Sequence, residues 1–191
     1  MSEKKRRRKI QNEAPSFRVR SWLKDRREVL QYAFIFGVVI SVCSIMLQTE
    51  IVSQLVVVPH LNYVASVCGT LLNFLGTTCA VQASSIMSSR FNVQVIEGCD
   101  SLYPTVFLTA AIFAFPSRWK MRMAGAAIGA VLLFILNIVR VVMMFYAGTY
   151  IPSLFDILHL YAWQALFTLM TFGYYLFWLV HVVKANVHKA L

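Results

Sequence analysis

The chain has 191 residues, 59% of them hydrophobic and only 14% charged, with a formal net charge of +10. Charged residues make up about a quarter of an ordinary soluble domain, so the composition excludes that class and points to a membrane protein. The positive charge would suit a nucleic-acid binder, but eleven of the 18 Lys and Arg lie between Lys4 and Arg27, and a basic head on an apolar body reads instead as a cytoplasmic anchor touching anionic lipid headgroups.

In chain order, the basic tail of residues 1–28 ("KKRRRK", "FRVRSWLKDRR") is followed by an apolar window at 29–47, "VLQYAFIFGVVISVCSIML". A helical span takes about 20 residues, so this window suffices for one. Its basic and apolar parts are both long for a cleaved leader and no A-x-A-like site follows, so the segment is expected to remain as an anchor. Ile40-Ser41-Val42-Cys43 faintly resembles a lipoprotein cleavage box, but Val42 is bulky where a small residue is wanted. Cys43 reads as a small buried hydrophobe.

Residues 48–100 form the largest piece between apolar windows. Within it, 55–80 ("LVVVPHLNYVASVCGTLLNFLGTTCA") is interrupted by Pro59, His60, Asn62 and Asn73. The pattern predicts a helix over 55–77, which either crosses the bilayer or lies along its surface as an amphipathic helix. Next, "AVQASSI", "MSS" and "RFNVQVIE" read as two short strands around a turn. In the second, Val93, Val95 and Glu97 alternate against Asn92, Gln94 and Ile96. A lone hairpin is marginal in water, so it is expected to rest on the membrane-embedded helices.

Three more apolar windows follow at 101–117, 123–147 and 160–183. Segments 1–28, 118–122 ("RWKMR") and 184–191 hold 16 of the 18 Lys and Arg. Four spans place all three on one side, as cytoplasmic loops require, whereas five would put "RWKMR" opposite the N-terminus. The expectation is an all-α polytopic membrane protein with about four transmembrane helices, an extracytoplasmic amphipathic helix and a short β-hairpin. Its membrane-embedded domain covers 29–183, with 48–100 outside and cytoplasmic tails at 1–28 and 184–191.

This topology leaves a short list of reactive groups on the outer side: His60, His159, Arg90, Arg140, Cys68, Cys79 and Cys99. Arg140 lies within the third span, where a cation costs a few kcal/mol and marks a functional site by default. Asn137 sits one turn earlier on the same face, which favours a polar pocket over an arginine snorkelling to the headgroups. Cys99 stands at the foot of the second span, where the helix macrodipole lowers a thiol pKa, while neighbouring Glu97 and Asp100 oppose that shift. The alternative for Cys99 is a structural disulfide with Cys79 or Cys68. His159 opens the fourth span after the turn-like "GTYIPSLFD"; its alternative is an interfacial histidine beside Tyr161 and Trp163.

Three neighbouring spans thus each present one member of a nucleophile, cation and imidazole set at their outer ends. A Cys attacking a carbonyl needs a proton shuttle for the leaving amine, which His supplies. It also needs positive charge at the oxyanion, which Arg supplies. No C-x-x-C or H-x-x-x-H pair occurs, so a metal site built from Cys99, His159 and Glu97, Asp100 or Asp156 is disfavoured and no cofactor is expected. The competing class is a non-catalytic small transport or assembly module in which Arg140 binds an anionic ligand. Few polar residues interrupt the first, second and fourth spans, and Arg140 lies off the midplane, where transporters place their sites.

The blocks "VQVIEGCDSLYP", "LFILNIVRVVMMFYAG" and "FDILHLYAWQ", in that order and after "LLNFLGTT", resemble the exosortase/archaeosortase family over nearly everything after residue 30. The short chain and the last block look most like the exosortase H type or a close sister. The resemblance implies an intramembrane cysteine transpeptidase of the bacterial cytoplasmic (inner) membrane, with its active site on the extracytoplasmic side. Its partners would be exported proteins ending in a short motif, a transmembrane helix and a basic tail, together with an acceptor nucleophile. Carried over by position, Cys99 would be the nucleophile, Arg140 would stabilise the oxyanion or orient substrate, and His159 would be the general acid/base. Asn137 matches the polar position of the Asn-x-x-Arg block, and Glu97 precedes the Cys. The chain departs from the family in following its Cys with Asp100-Ser101 rather than a small residue and Gly, which bears on the subtype and substrate motif more than on the chemistry.

Overall fold

The computed structural model describes residues 27–98 and 100–187. The basic head before Arg27, Cys99 and the last four residues lie outside the described residues. Contacts divide the chain into residues 1–38 and 39–191. Within the first unit, the described part is the beginning of helix α1 (Arg27–Leu47), whose Val29, Leu30, Phe34, Ile35 and Val38 are exposed.

The second unit holds the core. Helix α2 (Glu50–Phe74) contains a wide turn at Ser53–Val57, followed by Pro59, which suits the first turn of a helix because its missing N–H has no partner there anyway. Buried Leu61, Val64, Ala65, Cys68, Gly69 and Leu72 recur three and four residues apart, forming one apolar stripe, while Tyr63 and Phe74 on other faces are exposed. The helix expected at 55–77 is therefore present, shifted to Glu50–Phe74.

Asn73 then ties helix to sheet with two bonds, its Nδ2 donating to the Cys79 carbonyl (3.0 Å) and its Oδ1 accepting from the Cys79 amide (2.9 Å). The sheet is an antiparallel meander of three strands, β1 (Cys79–Gln82), β2 (Ser85–Ser88) and β3 (Asn92–Gln94), in the order β1-β2-β3. The single expected hairpin is corrected here. "AVQASSI" is not one strand but folds back at Ala83-Ser84, with Ala83 at φ +53°. The alternation expected of β3 does hold: Val95 is buried and Val93 half-buried, while Asn92, Gln94 and Ile96 are exposed. Ile86 and Val95 join the stripe of α2 and residues 138–145 in one apolar cluster.

Helix α3 (Leu102–Ala114) has 13 residues, or about 20 Å, shorter than the span expected at 101–117. Pro116 explains its end, since the residue before a proline is pushed out of helical conformation; Phe115 has φ −72° and ψ 132°. Helix α4 (Trp119–Tyr150) runs for 32 residues, so "RWKMR" lies largely in its first turn and not in a loop. Only Ile151, at φ −138° and ψ 59°, separates it from helix α5, which begins at Pro152, passes through a wide turn at Leu158–Ala162 and continues as Trp163–Val187. The stretch 148–159 left between the last two expected spans is thus helix apart from Ile151, because Pro152 both ends α4 and starts α5.

Among the described residues four helices are long and apolar enough to cross a membrane, Val29–Leu47, Glu50–Phe74, Trp119–Tyr150 and Pro152–Val182; Glu50–Phe74 is in this set, whereas Leu102–Ala114, in the window expected to span at 101–117, is shorter. The chain is an all-α polytopic membrane protein with a small sheet. Helix α4 is its axis. It packs on α2 and the sheet to one side, and on α3 and α5 to the other through Leu108, Ile112, Leu133, Met144, Phe167 and Trp178.

Candidate active site

Arg140 stands two-thirds of the way along α4 and is 4% exposed. A guanidinium so enclosed faces the bundle interior, not lipid. Its Cζ lies 5.5 Å from the centroid of the Phe167 ring on α5, a cation–π arrangement that partly replaces lost hydration. Among the described residues no carboxylate pairs with it, so its charge remains available to a ligand.

Two cavities meet at this side chain. The first, of about 530 Å³, is mostly apolar, with Tyr103 and Phe172 among its walls; Gly98, Asp100, Arg140 and Gln164 also line it. The second, of about 370 Å³, is walled by residues 91–96 along one side and by Arg140, Met144, Phe155 and His159 along another. His159 therefore shares a cavity with Arg140, and both neighbours of Cys99 in sequence share a cavity with Arg140. Cys99 itself lies outside the described residues.

His159 sits in the wide turn of α5, a local π-helical irregularity of the kind often found at functional sites. Its ring is stacked on Phe155, centroids 5.8 Å apart and planes 8° from parallel. Phe155 is met edge-on by Phe91 at 5.5 Å, and Phe91 closes over Gly148 of α4, where a Cβ would have no room. Sheet, α4 and α5 thereby converge on the imidazole.

The turn before α3 is made possible by Gly98 at φ +80°, a left-handed conformation that glycine adopts without steric cost. It places Asp100 at 1% exposure. Burial pushes the Asp100 carboxyl above the usual carboxylate range, opposed by His60 and by the neighbouring backbone of Asp100, Gly98 and Leu102. The His60 Nε2 lies 3.9 Å from Asp100 Oδ2, too far for a hydrogen bond, and that nitrogen has no hydrogen-bond partner among the described residues.

The other predicted residues divide. Asn137 is fully buried on α4, with both amide atoms unpartnered among the described residues. Glu97 is exposed and accepts from Ser53 Oγ at 3.3 Å, and it lines neither cavity at Arg140. Arg90 is at the β2–β3 turn, where it lines a separate cavity with Tyr146 and Tyr150. Cys68 and Cys79 are free thiols; Cys68 is buried, and burial pushes the Cys79 thiol above its ordinary range. Cys79 thus lacks the depressed pKa of a reactive thiol.

The sequence alone does not place the strand expected in "RFNVQVIE" at the site, and sequence reasoning missed two contacts: Phe155 against His159 and Phe167 beneath Arg140. Only the first left a trace, since residues four apart share a helix face.

The model of the family described as transmembrane exosortase (Exosortase_EpsH) matches residues 21–176. The chain belongs to this family. No curated protein and no solved structure matches it. The matched segment includes the sequence positions Cys99, Arg140 and His159 as well as all three strands. Membership makes this exosortase a multi-pass membrane protein and supports a membrane transpeptidase or protease role in protein sorting.

Proposed function

We propose that this exosortase cleaves the C-terminal sorting signals of exported proteins near the outer face of the bacterial cytoplasmic membrane, through an acyl-enzyme on Cys99. Both chain termini are then cytoplasmic and the cavities at Arg140 open outward. The observation that carries this reading is that Arg140 walls both cavities, one also lined by His159 and the other by Gly98 and Asp100, the residues bonded to Cys99.

The Cys99 thiolate attacks the carbonyl carbon of the scissile peptide bond, forming a C–S bond and an oxyanion. Arg140, held in a largely dry wall, stabilises that charge more strongly than it would in water. His159 gives a proton to the departing amine as the C–N bond breaks, leaving a thioester. Water or an acceptor amine then attacks the thioester, His159 takes its proton, and the Cys99 sulfur leaves. The apolar first cavity suits the apolar helix of a sorting signal, and its largely apolar walls disfavour the alternative of an anion-transport path.

The test compares C-terminal peptides of exported proteins from cells making the wild-type chain and cells making Cys99→Ala at equal membrane level. Some exported protein is expected to keep its apolar helix and basic tail only in the variant. Identical processing in both strains would refute the assignment.

A further inference from the structure

The second cavity is bordered by Phe91, Asn92, Val93, Gln94, Val95 and Ile96 without a gap. Side chains of a strand alternate between two faces, so a cavity lying on one face meets every second residue. A cavity that meets six in a row runs along the strand's edge.

That edge is unpaired. β3 is the last strand of the sheet, and among the described residues its only strand neighbour is β2. The register pairs Gln94 with Ser85 and Val93 with Ile86, and one step further the Val95 amide donates to the Ser84 carbonyl at 2.9 Å. In an antiparallel ladder the residues whose backbone groups face the partner alternate. Val95 and Val93 therefore turn their amides and carbonyls toward β2, and Asn92, Gln94 and Ile96 turn theirs outward. Among the described residues none of the outward groups makes a backbone hydrogen bond beyond the sheet. Exposed edges of this kind are templates for another main chain.

We infer that the polypeptide segment beside the scissile bond binds as a fourth strand along the free edge of β3 and of the chain that continues it through Val95 to Ile96. This deepens the peptidase reading above and rests on it. Three things favour an extended peptide as occupant. A backbone edge recognises a backbone, giving affinity through main-chain hydrogen bonds while side-chain pockets give selectivity. The edge spans about 13 Å, the length of five extended residues. And it ends in the cavity that holds Arg140 and His159, so a peptide laid along it leads directly to groups able to act on a carbonyl. A helical segment would hide that carbonyl in its own hydrogen bonds; strand pairing presents it. The first cavity, across Arg140, is then left for the apolar continuation of the same chain.

The experiment uses the exported protein whose tail is retained in Cys99→Ala cells. If no such protein exists, the peptidase reading has already failed on its own. Gln94→Pro removes one outward amide but no β2–β3 ladder bond, a placement that edge strands tolerate. It is expected to slow processing roughly tenfold more than Gln94→Ala, which keeps the amide. Equal processing by the two variants at equal membrane level would overturn the proposal. As a second measurement independent of Pro, Gln94→Cys in a Cys99→Ala background is oxidatively cross-linked to single cysteines placed in turn along the substrate beside its cleavage point. Cross-links at every second position support strand addition. Cross-links spaced as on a helix, or none, overturn it.

Discussion

Phe155 lies flat against His159, with planes 8° from parallel and centroids 5.8 Å apart. The pair is one helical turn apart on α5, and the edge of Phe91 backs Phe155 from the sheet side. On the proposed mechanism His159 shuttles a proton between sulfur and a leaving amine, which needs a fixed ring plane, and the stack on Phe155 would hold it. Phe155→Ala is expected to reduce substrate processing by about tenfold, in line with ~0.5–1.5 kcal/mol for an aromatic pair. Phe155→Tyr, which keeps the face, should retain most of it. Processing rates at matched membrane levels check this; a Phe155→Ala variant as active as wild type would show that the stack does not position His159.

Gly148 is where the sheet meets α4. A Cβ there would run into the ring of Phe91, whereas one added at Gly173 meets nothing within 4 Å. Gly148→Val is therefore expected to cost about 1–3 kcal/mol through overpacking, lowering the melting temperature in detergent by several degrees, and to reduce processing because Phe91 carries Phe155. Gly173→Ala should leave the melting temperature unchanged or raise it slightly, since alanine is the better helix former. Equal melting of the two variants would contradict the close approach.

Asp100 gives a pH dependence of definite sign. Its carboxyl is raised by burial, so the folded chain holds that proton more tightly than the unfolded chain does. This group's contribution to stability is complete below the unfolded carboxylate pKa of about 3.9 and is lost as pH rises through the raised, folded value. Wild-type melting temperature should fall over that window on going from acid toward neutral, and Asp100→Asn, which cannot ionise, should lack that slope. Melts in detergent across a pH series measure it; parallel slopes would mean that Asp100 does not carry the effect.

Much of the fold could be read from residue spacing. The stripe from Leu61 to Leu72 and the alternation of Val93 and Val95 each name the side that packs, because apolar burial follows helix and strand periods. Arg140 stood out as a cation in an apolar run, and the structure encloses it. What escaped was punctuation. Tyr150 and Ile151 look like loop because Gly, Thr and Pro surround them, yet α4 continues to Tyr150 and Pro152 starts the next helix. Ala83 gives no turn signal, since positive φ is a glycine or asparagine habit, and so β1 and β2 merged into one expected strand. Within the site, Phe167 under Arg140 is a contact between separate helices, which no local pattern encodes.

The central claim is that Cys99, Arg140 and His159 act on one peptide carbonyl by way of a thioester. The most direct measurement adds hydroxylamine to purified enzyme turning over its exported substrate in detergent or vesicles, and reads the new C-terminus by mass spectrometry. A thioester is intercepted by hydroxylamine, so a share of the product should end in a hydroxamate with wild-type enzyme, and no cleaved product should form with Cys99→Ala. Product ending only in carboxylate at every hydroxylamine concentration, or cleavage that persists in Cys99→Ala, would contradict the account.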